Sequence, residues 1–370
     1  MRLLLALVTV CILASGRSAL AQAPAPSPGT VFRTGTTLVL VPALVRTKKG
    51  EPVFSLTADD FLLTDDDVPQ KLSLEQDTDS EPLALVVAVE LGGAGARHLD
   101  DYRNLGSTIE ALVGNVPHRV ALVGFDSEPH LLEDFTPDLS ATAAGLHDLE
   151  SGDNGAAILD GLKFSVEQLQ KQPPEYRRAI LLLSETVDHG SHIALEDAVR
   201  SVSDTNTVIY SFAFSSTKTI VESKPSKTPG HGDPGPPGGC LAQDPNEDPS
   251  EAKGKFEKTY DCLGLLAPPL RVAKVAALLA ASAMRRNAAE TVAHLTGGEY
   301  YSFKDRRSLQ KDMLTVSNHV PNRYVLSFLP EAPHAGLHTL KLQLKDYPNL
   351  EITARRNYWA QDAIADKAQQ

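Results

Sequence analysis

The sequence predicts an α/β protein: a doubly wound, mostly parallel sheet with helices on both faces, joined to a small β module built from both ends of the chain. Three observations carry this. Residues 83–89 are an unbroken apolar run of strand length, as expected for a strand covered on both faces. Further apolar runs (119–125, 179–184, 207–214) alternate with amphipathic stretches at 99–113, 156–170 and 193–203, the order that builds βαβ units. On either side of this block, 36–74 and 323–356 read as β segments bounded by turn residues.

In chain order, Arg2, the apolar run 3–14 and Ser18-Ala19-Leu20-Ala21-Gln22 read as a secretory signal peptide (1–21) cut after Ala21. The apolar run is too short to span a bilayer. The 370 residues carry 35 Lys and Arg against 47 Asp and Glu. Loss of Arg2, Arg17 and Cys11 with the leader leaves 33 basic residues, a net charge of −14, and two cysteines, Cys240 and Cys262. An exported (periplasmic or secreted) chain with no membrane span after cleavage is expected. The acidic balance and the lack of a Lys/Arg run argue against nucleic acid as a partner. At 42% hydrophobic and 22% charged residues, disorder throughout is excluded.

Residues 22–35 form a flexible Pro-rich leader. The N-terminal β module (36–81) begins with a strand at 37–46, where Pro42 suggests an edge or a bulge. Thr57-Ala58-Asp59-Asp60 resembles a capping box opening a single helical turn. Residues 61–64 and 71–74 then pair as a hairpin across Asp65-Asp66-Asp67-Val68. Three aspartates could bind calcium, but the EF-hand spacing and glycine are missing, so a solvated acidic turn is expected.

The α/β block spans 82–303, with a short segment at 130–135 between its second strand and the helix at 156–170. Residues 215–261, rich in Pro, Gly, Lys and Asp, break the pattern and read as a disordered insertion. In an oxidising compartment Cys240 and Cys262 are expected to close its second half as a disulfide, two free thiols being the alternative. The apolar stretch 265–284 contains Arg271 and Lys274 and reads as a core helix. Helical pattern continues through His294 and stops at Thr296-Gly297-Gly298, glycines suited to a C-cap. A strand at 299–303 follows. In 304–360 a linker helix (307–317) precedes β segments at 323–329, 338–344 and 350–356, with Pro348-Asn349 as a turn; 361–370 is a tail.

Several of these pieces, in this order, resemble one family. The run 38–45, Gly50-Glu51-Pro52-Val53, Leu56-Thr57-x-x-Asp60-Phe61 and Pro69-Gln70-Lys71 open the set. Thr296-Gly297-Gly298-Glu299-Tyr300-Tyr301, Arg323-Tyr324-Val325-Leu326-Ser327-Phe328 and Ala354-Arg355-Arg356-Asn357-Tyr358-Trp359-Ala360 close it, with Asn357 where a glycine is usual. The chain from 32 to 360, apart from the insertion, resembles the secreted VWFA-related (von Willebrand factor type A-like) proteins of the acidobacterial type. The resemblance implies a von Willebrand A-type sheet, and ligand binding beyond the strand carboxyl ends.

In that family's metal-ion-dependent adhesion site (MIDAS), a divalent ion is held by Asp-x-Ser-x-Ser, a later Thr and a later Asp. The matching positions here are Glu90-Leu91-Gly92-Gly93-Ala94, Ala156 and Glu185. Gly92, Ala94 and Ala156 remove all three hydroxyls, and both carboxylates are a methylene longer. Mg²⁺ takes six oxygens at about 2.1 Å and tolerates displaced ligands poorly. The expectation is a degenerate site with no cofactor, with Glu90 and Glu185 at a water-filled cleft and their repulsion raising one pKa. An ion, if bound, would use Glu90 and Glu185, with Asp126, Asp153 or Thr186 adding oxygens.

Enzyme signals are weak. Asp188-His189-Gly190-Ser191-His192 offers a carboxylate and two imidazoles, but the histidines are three apart and not the four of a helical zinc pair. Ser191 reads as an N-cap for the following helix. Ser184 lacks the Gly-x-Ser-x-Gly elbow, and there is no phosphate loop or dinucleotide fingerprint. The remaining histidines are expected at the surface. The sequence therefore favours a non-enzymatic module that binds a protein or cell-surface ligand through loops 90–99, 126–128, 151–155 and 185–192. A hydrolase using Glu90, Glu185 or the Asp188/His192 cluster is the alternative, and a purely structural domain a third.

Overall fold

The computed structural model describes residues 38–74, 81–204, 206–214, 277, 279–320, 322–331 and 334–360. The expected signal peptide, Pro-rich leader, insertion, cysteine pair and tail lie outside the described residues.

Strand β1 (Val39–Thr47) buries Val39, Val41, Ala43 and Val45 by alternation. It pairs antiparallel with β11 (Tyr324–Phe328) through 39–43 and with β13 (Leu350–Ala354) through 43–47. Pro42 thus lies in an interior strand and not at an edge. It is tolerated because β13 joins only from Ala43, and on that side Pro42 uses its carbonyl alone, accepting from Arg355 N–H. The capping box forms: Asp60 accepts the Thr57 N–H at 2.7 Å and opens a single helical turn, 58–60.

The hairpin differs from expectation. β2 (Phe61–Asp65) pairs with β3 (Val68–Gln70) across a two-residue turn, Asp66-Asp67, with φ of 45° and 67°. Two successive left-handed residues make the turn whose twist suits a hairpin, and Asp tolerates that region better than most residues. The expected second arm is displaced: β4 (Ser73–Leu74) crosses to pair with β11. The aspartates are not a solvated turn either, since Asp65 is buried against His338 and Tyr358.

β12 (Gly336–Leu344) pairs with β2 and with β14 (Asn357–Ala360), a strand the sequence pattern did not separate from β13. The resulting sheets, β13-β1-β11-β4 and β14-β12-β2-β3, close over one apolar core that includes Val41, Phe61, Leu63, Leu326, Phe328 and Tyr358. The two ends of the chain thus build one β module.

The large sheet has the order β10-β9-β8-β5-β6-β7. Its strands are β5 (Leu83–Glu90), β6 (His118–Phe125), β7 (Pro129–Thr136), β8 (Arg177–Glu185), β9 (Thr207–Phe214) and β10 (Tyr300–Ser302). All neighbours run parallel except β7, which is antiparallel to β6 at the edge. β5 is buried along its whole length and sends Leu83, Leu85, Val87 and Val89 to one layer and Ala84, Val86 and Ala88 to the other.

The first layer receives α1 (Leu99–Tyr102) and α2 (Gly106–Val113), which the single helix expected at 99–113 becomes, broken at Arg103-Asn104-Leu105. It also takes α3 (Leu139–His147), a helix without an apolar stripe in sequence. The second layer receives α4 (Ile158–Gln170), α5 (Leu195–Ser203) and α6 (Ala288–Thr296), the last capped by Gly297 at φ 77°. The helix α7 (Arg306–Ser317), expected as a linker, buries Leu309, Met313 and Val316 in the first layer. Among the described residues no helix is long and apolar enough to cross a membrane.

Candidate functional site at the strand carboxyl ends

The chain winds from β5 out to β7, then returns past β5 to β8 and on to β10. The reversal falls between β5 and β8, and at such a point adjacent loops diverge and leave a place for a ligand beyond the carboxyl ends. Glu90 and Glu185 are the last residues of those two strands.

Glu90 is fully buried, and backbone donors hold both of its oxygens. Oε1 accepts from Gly95 N–H at 2.9 Å and Oε2 from Glu185 N–H at 2.7 Å. Burial pushes its pKa up to about 8, with the nearby Glu185 charge adding to the rise and the two backbone donors opposing it. The expected direction is met, but burial and not mutual repulsion is the main cause. Nor does Glu90 line a water-filled cleft. Gly95 packs against its side chain, and the neighbouring Gly92-Gly93 turn is covered by the 152–155 loop. Glu185 is buried, with His189 Nε2 3.7 Å from its Oε1.

The backbone of this loop occupies the space a side chain at 92 would need. A Cβ there would collide with the Gly155 carbonyl, and at 2.9 Å with the Asp153 carbonyl. Gly93 N–H donates to Asp153 O at 2.9 Å, and Gly152 N–H to Leu91 O at 3.0 Å. Ala94 precedes the turn 95–98 that supplies the Gly95 donor. Ala156 is buried and exchanges both backbone hydrogen bonds with His189 at 2.9 and 3.0 Å, which zips the 151–156 loop to the 185–192 loop.

The other acidic residues of the rim also hold backbone. Asp126 accepts from the N–H groups of Glu128 and Asp153, each at 3.1 Å. Asp153 accepts from Ser127 N–H at 3.1 Å and Gly155 N–H at 2.7 Å, and these bonds keep its carboxyl below the usual range. Asp188 accepts Leu159 N–H at 3.1 Å and the Ser191 hydroxyl at 2.5 Å. Ser191 Oγ in turn accepts from Leu159 and Asp160 N–H. It caps α4 across the loop, and not the helix that follows it. Thr186 contributes its carbonyl, which accepts from Ala288 N–H.

The structure gives Asp188 and His192 different partners. His192, largely exposed, approaches Asp160 at 3.2 Å, and Asp160 also accepts from His192 and Ile193 N–H. Asp160 was not singled out in the sequence, although its place in the first turn of α4 is the signal for an N-terminal acceptor. Buried His319 and His338 were likewise missed, because a lone histidine in sequence carries no sign of its burial.

A mostly parallel sheet with helices on both faces and flanking β segments is what the family resemblance implied, and the strand order β10-β9-β8-β5-β6-β7 with its antiparallel β7 edge adds the detail. The α/β domain has the fold class of a von Willebrand A-type sheet. Similar solved structures include the von Willebrand factor domain of the type V pili tip protein Mfa5 from Porphyromonas gingivalis, at 22% identity and a TM-score of 0.26. That match covers 30% of this chain and 39% of the other. BatB from Bacteroides thetaiotaomicron matches at 14% identity over 63% of this chain and 96% of its own, with a TM-score of 0.38. Proximal thread matrix protein 1 from the mussel byssus matches at 11% identity over 70% of this chain and 50% of its own, with a TM-score of 0.39. One structure of that mussel protein has a zinc-occupied MIDAS motif. No protein-family model matches the sequence, and no curated protein does.

A separate cleft lies at the opposite, amino-terminal ends of the A-type strands, lined by Leu40, Pro42, Leu83, Arg177, Tyr210 and Val320. It marks where the β module meets the sheet, away from the switch point.

Proposed function

We propose that this chain is an exported, non-enzymatic A-type module that binds a protein or cell-surface ligand through the rim of loops 90–99, 126–128, 151–155 and 185–192, and that the rim takes no Mg²⁺. The observation that carries the reading is the use made of the rim's carboxylates. Glu90, Asp126, Asp153, Asp160 and Asp188 accept backbone N–H groups and so lock four loops into one surface.

The donor set does not fit Mg²⁺. Both oxygens of Glu90 hold backbone donors, the three hydroxyl positions are Gly92, Ala94 and Ala156, and the Gly155 carbonyl blocks side-chain growth at 92. A six-oxygen octahedron would require these bonds to break. The same geometry weakens a hydrolase reading. Ser191 is committed to capping, Asp188 and His192 face different partners, and Glu90 is sealed from substrate. Side chains exposed on the rim include Arg97, Glu128, Ser151, Asn154, His189 and His192, a mixed polar set suited to recognition.

The test compares wild type with the triple variant Glu128→Ala/His189→Ala/His192→Ala in capture from a cell-surface extract, beside a panel of ester, peptide, glycoside and phosphoester substrates. The expected result is a partner retained by wild type and lost by the variant, with no turnover. Turnover that Glu185→Ala abolishes overturns the reading in favour of a hydrolase. Recovery of no specific partner by wild type overturns it in favour of a purely structural domain, and equal capture by both proteins overturns the rim as the binding surface.

A further inference from the structure

The cleft at the amino-terminal ends of the A-type strands has a volume of about 240 Å³ and two unlike walls. One wall is apolar. By alternation, β1 and β11 bury Val41, Ala43, Leu326 and Phe328 within the β module and turn Leu40, Pro42 and Val325 the other way, with Pro42 directly opposite Val325. Leu83 of β5, Val208 of β9 and Val320 beyond α7 line the same space. Close-packed interiors leave few voids of this size, and an apolar cavity of about 150 Å³ already admits benzene.

The other wall is cationic. Arg177 and Arg178 open β8, and Arg323 stands just before β11. The Arg323 guanidinium lies 5.2 Å from the centre of the Tyr210 ring, and the charges of Arg323 and Arg177 both act on the Tyr210 hydroxyl. Each guanidinium is a fork of five donors. Arg177 uses one on the Val320 carbonyl at 3.5 Å, and Arg178 one on the Gln172 carbonyl at 3.3 Å. The Nε atoms of all three arginines are buried without an acceptor, and Arg323 is only 8% exposed. A buried donor left unpaired costs about 1–3 kcal/mol, so these forks favour an incoming acceptor.

We propose that this cleft binds a small organic carboxylate, its charged end on Arg177, Arg178 and Tyr210 and its apolar body on Leu40, Pro42 and Val325. Arginine forks match the planar carboxylate group, and small-ligand sites join a mostly apolar lining to a few convergent polar groups. The charge balance suits a single negative charge. Arg323 is paired with Glu299 at 3.3 Å, and Arg177 lies 3.9 Å from Glu81. Among the described residues Arg178 has no carboxylate within 4.0 Å. Buried Arg355, behind the Leu40 wall, donates to neutral acceptors, the Leu40 carbonyl and Asn206 Oδ1, each at 3.2 Å. Glu81 and Glu175 also line the cleft and weigh against a dianion such as phosphate. Phosphate would also leave the apolar wall uncovered, whereas a neutral apolar molecule would leave the donors unpaired. The walls come from the β module and the A-type sheet, so a bound acid would stabilise both parts together.

The full chain is titrated calorimetrically with phenylacetate, with 2-phenylethanol as its uncharged counterpart and inorganic phosphate as an anion without an apolar body. Phenylacetate should bind saturably at millimolar levels or below and raise Tm, while the other two bind at least ~10-fold more weakly. Arg177→Gln/Arg178→Gln should weaken phenylacetate by at least ~10-fold. Val325→Trp, at a partly exposed position, should fill the cleft and abolish binding, with folding of both variants checked by circular dichroism. Folded wild type without saturable phenylacetate binding overturns the site, as does binding that survives in both folded variants. Equal affinity for 2-phenylethanol overturns the carboxylate preference, and equal affinity for phosphate overturns the organic ligand class. None of these failures touches the rim reading, because the two sites share no residue.

Discussion

Glu90 is the residue on which the rim turns, and its protonation gives the first prediction. Its pKa rises from 4.5 to about 8 in the folded chain, so the folded state holds a proton that the unfolded state has released. The stability this contributes is fully present below about pH 4.5 and is lost as pH rises through about 8. Thermal melts should show wild type losing on the order of a few kcal/mol relative to Glu90→Gln across that window, with the variant curve flatter. A second prediction concerns Gly92, where the obstacle to a side chain is backbone and has little room to yield. Gly92→Ala should cost about 2 kcal/mol or more in urea unfolding, and Gly92→Ser should not restore a hydroxyl ligand. The place of both residues at the end of the first parallel strand was legible from the apolar run 83–89 that precedes them. That Glu90 is sealed and bonded to Glu185 N–H was not, because the donor comes from a strand 95 residues away.

At the scale of elements, the parallel strands were legible because an unbroken apolar run has few other homes. The helices with a clear stripe, α4 and α5, were legible for the same reason. α3 was not: Ala141, Ala143, Ala144 and Gly145 give no stripe, and its clearest signal is Asp138, whose side chain accepts Ser140 N–H at 2.9 Å. The β2–β3 turn was misplaced because three aspartates read as solvent-facing, while tertiary partners, His334 and His338, hold two of them inward. The C-terminus of α6 was placed correctly by its glycines. Gly297 has φ 77°, and a Cβ there would run into the Arg355 backbone that follows β13. Gly297→Ala should therefore lower unfolding free energy by about 1–3 kcal/mol, combining left-handed strain with the clash.

For the molecule as a whole, a buried ion cluster joins the A-type domain to the β module. Glu299, just before β10, meets Arg46 of β1 at 3.2 Å, His319 Nδ1 at 3.0 Å and Arg323 at 3.3 Å. Burial opposes the Glu299 charge, but the His319 and Arg323 contacts outweigh it and hold its pKa below the usual range. Removing the carboxylate would leave buried cations without their counter-charge. Glu299→Gln should cost about 3–5 kcal/mol in chemical denaturation and loosen both parts of the chain together. Nothing in the sequence announced this cluster, since Arg46 and Glu299 are 253 positions apart and meet only once both sheets have formed.

The proposed rim, in which strand-end carboxylates hold loops, offers Mg²⁺ no set of free oxygens. Calorimetric titration of millimolar Mg²⁺ into wild type and Glu90→Gln tests it most directly. No saturable heat that distinguishes the two proteins is expected. A saturable heat in wild type that Glu90→Gln abolishes would contradict it.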